Sequence, residues 1–417
     1  MEYYPRKIEE NLRKWIKRKE IIIIKGPRQS GKTTLLLHLK EKFGGEYITL
    51  EDEEMLESFE NSPKKFIKRF LKNQRNVLYI DEAQYSKKVG KLLKILFDLY
   101  SEKIKLIVTG SGSFDVKVEI GKYLVGRAIY FELLPLDFEE FIMWKAKDLL
   151  DVYIDYKNFV ISFIQGKDAS FPEIAYRKEF RNLMEEYITY GGFPQIVKEE
   201  DYEIKKELLK NLVKTYLEKD VFFFFNIRHL EKFRNTLKYL SFNSGSVLEI
   251  SSMCNALKLD YKTIENYISV LVNTYILFLL SPFHKNLATE LRKSKKIYFL
   301  DSGMRNALLN NYLPLDSRTD KGSMLEHFIL RELIALTQSF ENIYYWRTTG
   351  KAEVDFVLNI KNEIIPIEVK SHGKIGKSFR SFLSAYKPKR AVVFCEECFG
   401  IKEIGKTKVA FLPHFFI

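Results

Sequence analysis

Cysteine is nearly missing from this chain, with three in 417 residues. That scarcity excludes a disulfide framework and fits a reducing compartment. Cys395 and Cys398 form one C-x-x-C with no second pair near it, so ordinary packing is expected there rather than zinc or redox chemistry. Long apolar runs are missing too. The leading MEYYPRKIEENLRKW has no apolar core of the kind a secretory signal needs, and a cytoplasmic protein is expected. The longest stretch without a charge, Asn266 to Phe283, is broken by Asn266, Ser269, Asn273, Thr274, Ser281 and Pro282; it reads as a buried helix running into a strand, not as a membrane span. Acid is in short supply. Against 68 Lys and Arg stand 55 Asp and Glu, a formal charge of +13 that favours an anionic partner, nucleic acid before a membrane surface. There is no internal repeat or low-complexity tract, and the length exceeds what one core supports, so several domains are expected.

What is present begins with five apolar, β-rich runs: Ile21 to Gly26, Tyr47 to Leu50, Val77 to Asp81, Leu106 to Ser111 and Ala128 to Leu133. Helix-length segments such as KLLKILFDLY separate them, the pattern of a parallel sheet covered on both faces, hence an α/β nucleotide-binding architecture over residues 1–145. After LLPLDFEEF the pattern is helical, with a break at YGGFPQ; residues 146–231 are expected to form a helical lid or linker. Residues 232–320 read as several helices followed by the strand and turn of KKIYFLDSG, and residues 321–417 as an α+β domain.

The stretch GPRQSGKT fits G-x-x-x-x-G-K-[ST] and stands between an apolar strand and a helical run, the context such a loop needs. Gly26, Pro27, Arg28, Gln29, Ser30, Gly31, Lys32, Thr33 and Thr34 make the expected ATP cradle. The glycines let backbone N–H groups face phosphate, Lys32 reaches the β- and γ-oxygens, and the Thr33 hydroxyl suits magnesium. VLYIDEAQ ends an apolar strand in Asp81, expected to share in holding Mg2+, and Glu82, expected to orient or activate a water. Ser111 or Thr109 is placed to sense the γ-phosphate. Arg127, before the next strand, is a candidate guanidinium for phosphate in its own subunit or a neighbour's, the latter requiring a homo-oligomer.

Far along the chain, EVDFVLNIKNEIIPIEVK folds on itself about Lys361 and Asn362. That register sets Asp355 against Glu368 and Glu353 against Lys370, on one face because side chains alternate. Opposed carboxylates repel, so a divalent cation bridging Asp355 and Glu368 is expected, with Lys370 beside it and Glu326 as a third ligand from a helix. Val354, Phe356, Ile367 and Val369 would anchor the opposite face in a core. Lys374, Lys377, Arg380, Lys387, Lys389 and Arg390 follow with no acid among them, suited to a phosphodiester.

Taken together, GPRQSGKTTLL, DEAQ, TGS, the GR before YFELLPLDFEEF, YGGFPQ, KIYFLDSG and VDFV with IEVK resemble the archaeal and bacterial AAA-type ATPases whose C-terminal half is the domain of unknown function 4143. The resemblance implies an ASCE-type P-loop domain, a winged-helix region and a restriction-endonuclease-like PD-(D/E)XK domain. It gives Lys32 and Thr33 the Walker A roles and Asp81 and Glu82 the Walker B roles. It matches Asp355, Glu368 and Lys370 to D…E-x-K with Glu326 as the helix glutamate, Val354 standing in the place of the motif's proline. In the winged-helix stretch, Ser251 and Ser252 would cap one helix and Asp260 the next, with Lys262, Thr263 and Asn266 exposed toward DNA. The function expected is a magnesium-dependent ATPase coupled to a DNA-binding, nuclease-like domain able to cut DNA; the alternative is an ATP-controlled switch or DNA-binding regulator whose nuclease fold is silent.

Overall fold

The computed structural model describes residues 3–112, 120–167, 170–225, 227, 229–283, 294–339, 341–361, 363–397 and 399–417. Asn362 and Cys398 thus lie outside the described residues. Among those described, no helix is long and apolar enough to cross a membrane.

Four consecutive isoleucines explain the first sheet. Strand alternation points Ile21 and Ile23 to one face and Ile22 and Ile24 to the other, and all four are fully buried. The first pair packs with Leu92, Leu93 and Leu96 of the helix Val89–Tyr100. The second packs with Leu35, Leu36 and Leu39 of the helix Lys32–Phe43. A strand apolar on both faces is stable only between two helical layers, which a parallel sheet provides. Strands β1 (Ile21–Lys25), β2 (Glu46–Thr49), β3 (Asn76–Asp81), β4 (Ile104–Gly110) and β5 (Ala128–Glu132) pair in the order β2-β3-β4-β1-β5, every neighbour parallel. β4 is inserted between the strand that ends at the Gly-rich loop and the strand that ends at Asp81, the ASCE-type arrangement.

The second sheet holds eight strands, β6 (Leu277–Pro282), β7 (Lys296–Phe299), β8 (Ile343–Arg347), β9 (Glu353–Ile360), β10 (Glu363–Val369), β11 (Arg390–Phe394), β12 (Gly400–Ile404) and β13 (Thr407–Leu412), in the order β12-β13-β11-β10-β9-β8-β6-β7. The division expected at residue 320 therefore runs through a continuous sheet. β6 pairs antiparallel with β7 and offers its other edge to β8, Ser281 opposite Tyr344 and Pro282 opposite Tyr345.

Residues expected as a lid or linker also pack differently. Helices Leu150–Gln165 and Arg177–Tyr190 bury their aromatic faces in one core with the C-terminal sheet. Tyr156 stacks on Phe416 with centroids 4.1 Å apart, and Phe180 on Phe415 at 5.4 Å. A separate core joins Leu209 and Leu212 of the helix Tyr202–Thr215 to Leu237 and Leu240 of Leu230–Phe242, to Ile264 and Leu271 of Tyr261–Asn273, and to Ile297 and Phe299 of β7. Asp260 caps Tyr261–Asn273 as expected, accepting from the Thr263 N–H at 2.9 Å. Ser251 and Ser252 do not cap; they lie inside the helix Ile250–Leu257, and Ser252 Oγ donates to Glu249 at 3.0 Å. Met253, buried in that helix, faces the core and leaves both serines on the exposed side.

YGGFPQ is a junction. Gly192 N–H donates to Asp301 Oδ2 at 2.8 Å, and its carbonyl accepts from Leu136 N–H at 2.7 Å. Gly191, at φ 78°, leaves no room for a side chain: a Cβ there would lie 2.2 Å from Asp301 Oδ1. Pro194 abuts the Gly-rich loop, its Cγ 3.7 Å from where a Cβ on Gly31 would sit.

Candidate functional site

The loop after β1 is built from close approaches. A Cβ on Gly26 would lie 2.1 Å from the Leu133 carbonyl oxygen, and Gly31 takes φ 94°, as Gln29 takes 63°. From the N-terminal segment, Arg6 reaches in: Nη1 donates to the Ser30 carbonyl at 2.9 Å while Nε donates to Glu140 at 3.0 Å. Lys32 opens the following helix, is 5% exposed, and donates through Nζ to the Gly26 and Pro27 carbonyls at 3.1 and 2.7 Å. Burial lowers its pKa, against the pull of Glu82, Asp220 and Asp81. Thr34 is exposed on the same first turn.

Asp81 and Glu82 stand at the C-terminal end of β3, beside that turn. Thr33 Oγ1 donates to Asp81 Oδ2 at 2.6 Å and Tyr47 OH to the same oxygen at 2.9 Å. Thr109 Oγ1 and the Glu82 N–H donate to Oδ1. Glu82 takes φ 52°, uncommon outside glycine, and accepts from Gln84 Nε2. Burial raises its pKa, partly offset by Lys32. Gln84 Oε1 in turn accepts from the Ser111 N–H at 3.1 Å, so β4 is tied to Glu82 through an amide that the sequence did not single out. Thr109 bonds Asp81 directly, and Ser111 reaches the acid pair through Gln84.

Two placements differ from expectation. Arg127 precedes β5 at the wrong end for its own chain's phosphate loop: β5 runs parallel to β1 with Ala128 opposite Ile21 and Glu132 opposite Lys25. About 16 Å of strand separates it from the loop, and its Nε pairs with Asp98 at 2.7 Å. Parallel strands begin at one end of a sheet and deliver their ligands at the other. Arg28, in contrast, pairs side-on with Asp220, Nε to Oδ2 at 3.1 Å and Nη2 to Oδ1 at 3.5 Å. Asp220 is 3% exposed in the segment Tyr216–Phe224, which winds with i→i+5 hydrogen bonds. The signal for it was a lone acid in DVFFFF.

At the other end of the chain, β9 and β10 pair with Ile367 opposite Phe356 and Ile365 opposite Leu358. Carried one residue further, this register sets Asp355 against Glu368, as expected. Lys370 Nζ lies 2.9 Å from Glu368 Oε1 and 3.9 Å from Asp355 Oδ2, and the Val369 N–H donates to Asp355 Oδ2 at 2.8 Å. Burial raises the pKa of both carboxyls, and Asp355 adds to the rise at Glu368. Val354, Phe356, Ile367 and Val369 are buried. Glu326 stands close enough that, after burial, the charge of Asp355 raises its pKa, to about 8. It accepts from Tyr298 OH at 3.2 Å and faces Lys296 Nζ at 3.9 Å, and Lys296 itself pairs with Glu353 at 2.5 Å. Among the described residues, no three His, Cys, Asp or Glu side chains converge as ligands. Lys296, 3% exposed and heading β7, was invisible as a site residue because only the tertiary pairing of β6 with β8 carries it there. Lys374, Lys377, Arg380, Lys387 and Lys389 are exposed; Arg390 is half-buried against Glu363.

The fold and the loop define a P-loop ATPase of the AAA class. Comparison with known proteins agrees: residues 18–142 match the AAA domain, 181–314 a domain of unknown function (DUF8612) and 321–414 the domain of unknown function DUF4143. The uncharacterized protein MJ1544 of Methanocaldococcus jannaschii is 30% identical over 82% of this chain and 73% of its own length. The uncharacterized protein Rv2008c of Mycobacterium tuberculosis is 25% identical over 89% and 75%. This chain belongs to their family, the AAA-domain proteins with a C-terminal DUF4143 domain. A solved signal transduction ATPase with numerous domains (STAND) from Pyrococcus horikoshii is also similar, at 13% identity and a TM-score of 0.29 over 81% of this chain and 46% of that one, so this chain spans under half its length.

Proposed function

We propose that the chain is a magnesium-dependent ATP hydrolase whose nucleotide site acts on a nucleic-acid-binding C-terminal domain. The observation that carries it is the convergence at one end of the parallel sheet of Thr33, Asp81 and Glu82, joined by hydrogen bonds, with Lys32, which feels the charges of both acids. The oxygen donors of Thr33 and Asp81 are of the hard kind magnesium takes, so these two residues would hold the ion. Bound there with ATP, it would neutralise charge on the β- and γ-phosphates. Lys32 supplies a second, fixed cation. Glu82, its pKa raised by burial, orients the attacking water and accepts its proton. The water oxygen bonds to the γ-phosphorus as the bond to the bridging oxygen breaks, giving ADP, inorganic phosphate and a proton released to solvent. Lys32→Ala should abolish nucleotide binding, and a Lys32→Ala protein that binds and hydrolyses ATP like wild type would contradict the assignment.

What supports coupling is contact. The loop after β4 meets the end of the helix Tyr261–Asn273, where a Cβ on Gly112 would lie 2.3 Å from the Asn273 carbonyl, and Tyr275 OH donates to Glu132 at 3.0 Å. Support for a nucleic-acid partner is the net charge of +13 and the exposed basic residues after β10. Cleavage at Asp355, Glu368 and Lys370 is a second reading. In its favour, Glu368 Oε2 is buried with no hydrogen-bond partner, an orphaned acceptor between Asp355 and Lys370. Magnesium binds through one or two carboxylates plus substrate phosphates, so Asp355 and Glu368 would suffice and would supply Lewis-acid activation of a phosphodiester. Digestion of plasmid and single-stranded DNA with magnesium or manganese decides it: cutting by wild type that Asp355→Ala abolishes supports cleavage, and equal outcomes for the two proteins leave a binding domain only.

A further inference from the structure

The nucleotide site holds an arginine that the mechanism above does not use. We propose that Arg28 is a catalytic residue, giving a guanidinium to the γ-phosphate of ATP from within its own chain, and that Asp220 is the residue positioning it. The proposal rests on the ATPase reading and deepens it. Arg28 is the third residue of the phosphate loop, and its charge acts on both Lys32 and Glu82, the two side chains between which the γ-phosphate must lie. Two cations crowding one cleft repel each other; a polyanion between them removes that cost. Arg127 does not supply this charge in its own chain, because it stands at the opposite end of β5.

The pairing geometry leaves the guanidinium usable. Asp220 engages Nε and Nη2 side-on, and no hydrogen bond among the described residues engages Nη1, so the outer edge of the fork remains for phosphate oxygens. Asp220 is itself held in place. It sits one turn after Tyr216, whose hydroxyl shares a hydrogen bond of 2.8 Å with Thr274 Oγ1, and Thr274 packs against Gly112 at the end of the β4 loop. Segments wound with i→i+5 bonds recur at functional sites, and this one carries a buried carboxylate to the phosphate loop from a domain that also contains the helix Tyr261–Asn273. Nucleotide occupancy thereby bears on the middle of the chain through the Arg28–Asp220 ion pair.

The test uses the full chain with ADP, a non-hydrolysable ATP analogue and ATP, and thermal unfolding of each variant as a fold check. Arg28→Ala should lower kcat by about 100-fold or more while ADP affinity changes little and the preference for the ATP analogue over ADP is lost. Arg28→Lys should recover only part of kcat, since a point charge lacks the fork. Asp220→Asn should lower kcat, and the Arg28→Ala/Asp220→Asn double variant should be no slower than Arg28→Ala alone. An Arg28→Ala enzyme with wild-type kcat, or one that loses ADP and analogue binding in parallel, overturns the catalytic role. A rise in kcat on Asp220→Asn overturns the positioning role. If Glu82→Gln is inactive and Arg28→Ala is not, only this proposal falls. If wild type hydrolyses no ATP, the ATPase reading falls, and the analogue-to-ADP preference still reports on Arg28.

Discussion

Asp81 and Glu82 are adjacent in the chain and differ in what surrounds them. Asp81 accepts from Thr33, Tyr47, Thr109 and the Glu82 N–H, bonds that set its carboxylate at the end of β3 against the first turn of the next helix, where it would share an ion with Thr33. Glu82 accepts only from Gln84 among the described side chains, and burial moves its pKa up, toward the range in which a carboxylate takes a proton from water. Gln84 is then a positioning residue for the base. Gln84→Ala should lower kcat by about ten-fold with little change in nucleotide affinity, measured by steady-state hydrolysis alongside ADP binding; a change in affinity alone would assign Gln84 to the loop instead. Lys32, Thr33, Asp81 and Glu82 were legible because a strand, a Gly-rich loop and a helix are local in sequence. Asp220 and Gln84 were not, because their partners are fixed by packing: Arg28 lies 192 residues from Asp220.

The hairpin register of β9 and β10 could be read in advance from apolar alternation and a polar turn, with Lys361 at φ 50°. The partners of the helix Lys321–Thr337 could not, since a helix turns its faces to whatever packs around it; besides the charge of Asp355, Glu326 meets Tyr298 and Lys296. YGGFPQ announced a turn by its glycines and proline but not its docking partner. Asp301 is that partner, buried, with its pKa raised by burial, accepting from Gly192 and capping the helix Ser302–Leu309 through the Met304 N–H at 2.9 Å. Asp301→Ala loses a cap and leaves a buried N–H unpaired, and should cost about 2–4 kcal/mol in denaturant unfolding. A loss below about 0.5 kcal/mol would mean that the junction is not held through Asp301.

Over the whole molecule, helices of the middle share a core with the C-terminal sheet, and β6 and β7 extend that sheet across the boundary read from sequence. Edge pairing between strands about 60 residues apart leaves no local signature, so composition placed the domains and could not show that they interlock. Glu332 is a seam between them: 1% exposed, it accepts from the Phe138 N–H at 3.0 Å, and burial, with the charge of Asp137, pushes its pKa up to about 7. Between the ordinary value of 4.5 and that one, the folded chain holds a proton that the unfolded chain has released. Its contribution to stability is therefore greatest below pH 4.5 and is lost as pH rises toward 7, by up to about 3 kcal/mol. Glu332→Gln should flatten the fall in unfolding midpoint between pH 5 and pH 8; an unchanged slope would place the titration elsewhere.

Hydrolysis at the end of the first sheet is the chemistry on which the rest depends. Phosphate release from ATP and magnesium, measured for wild type and Glu82→Gln with and without double- and single-stranded DNA, tests it most directly. Turnover by wild type that DNA alters, with Glu82→Gln binding ATP but slowed at least about 100-fold, is the predicted result. Hydrolysis by Glu82→Gln at the wild-type rate would contradict it.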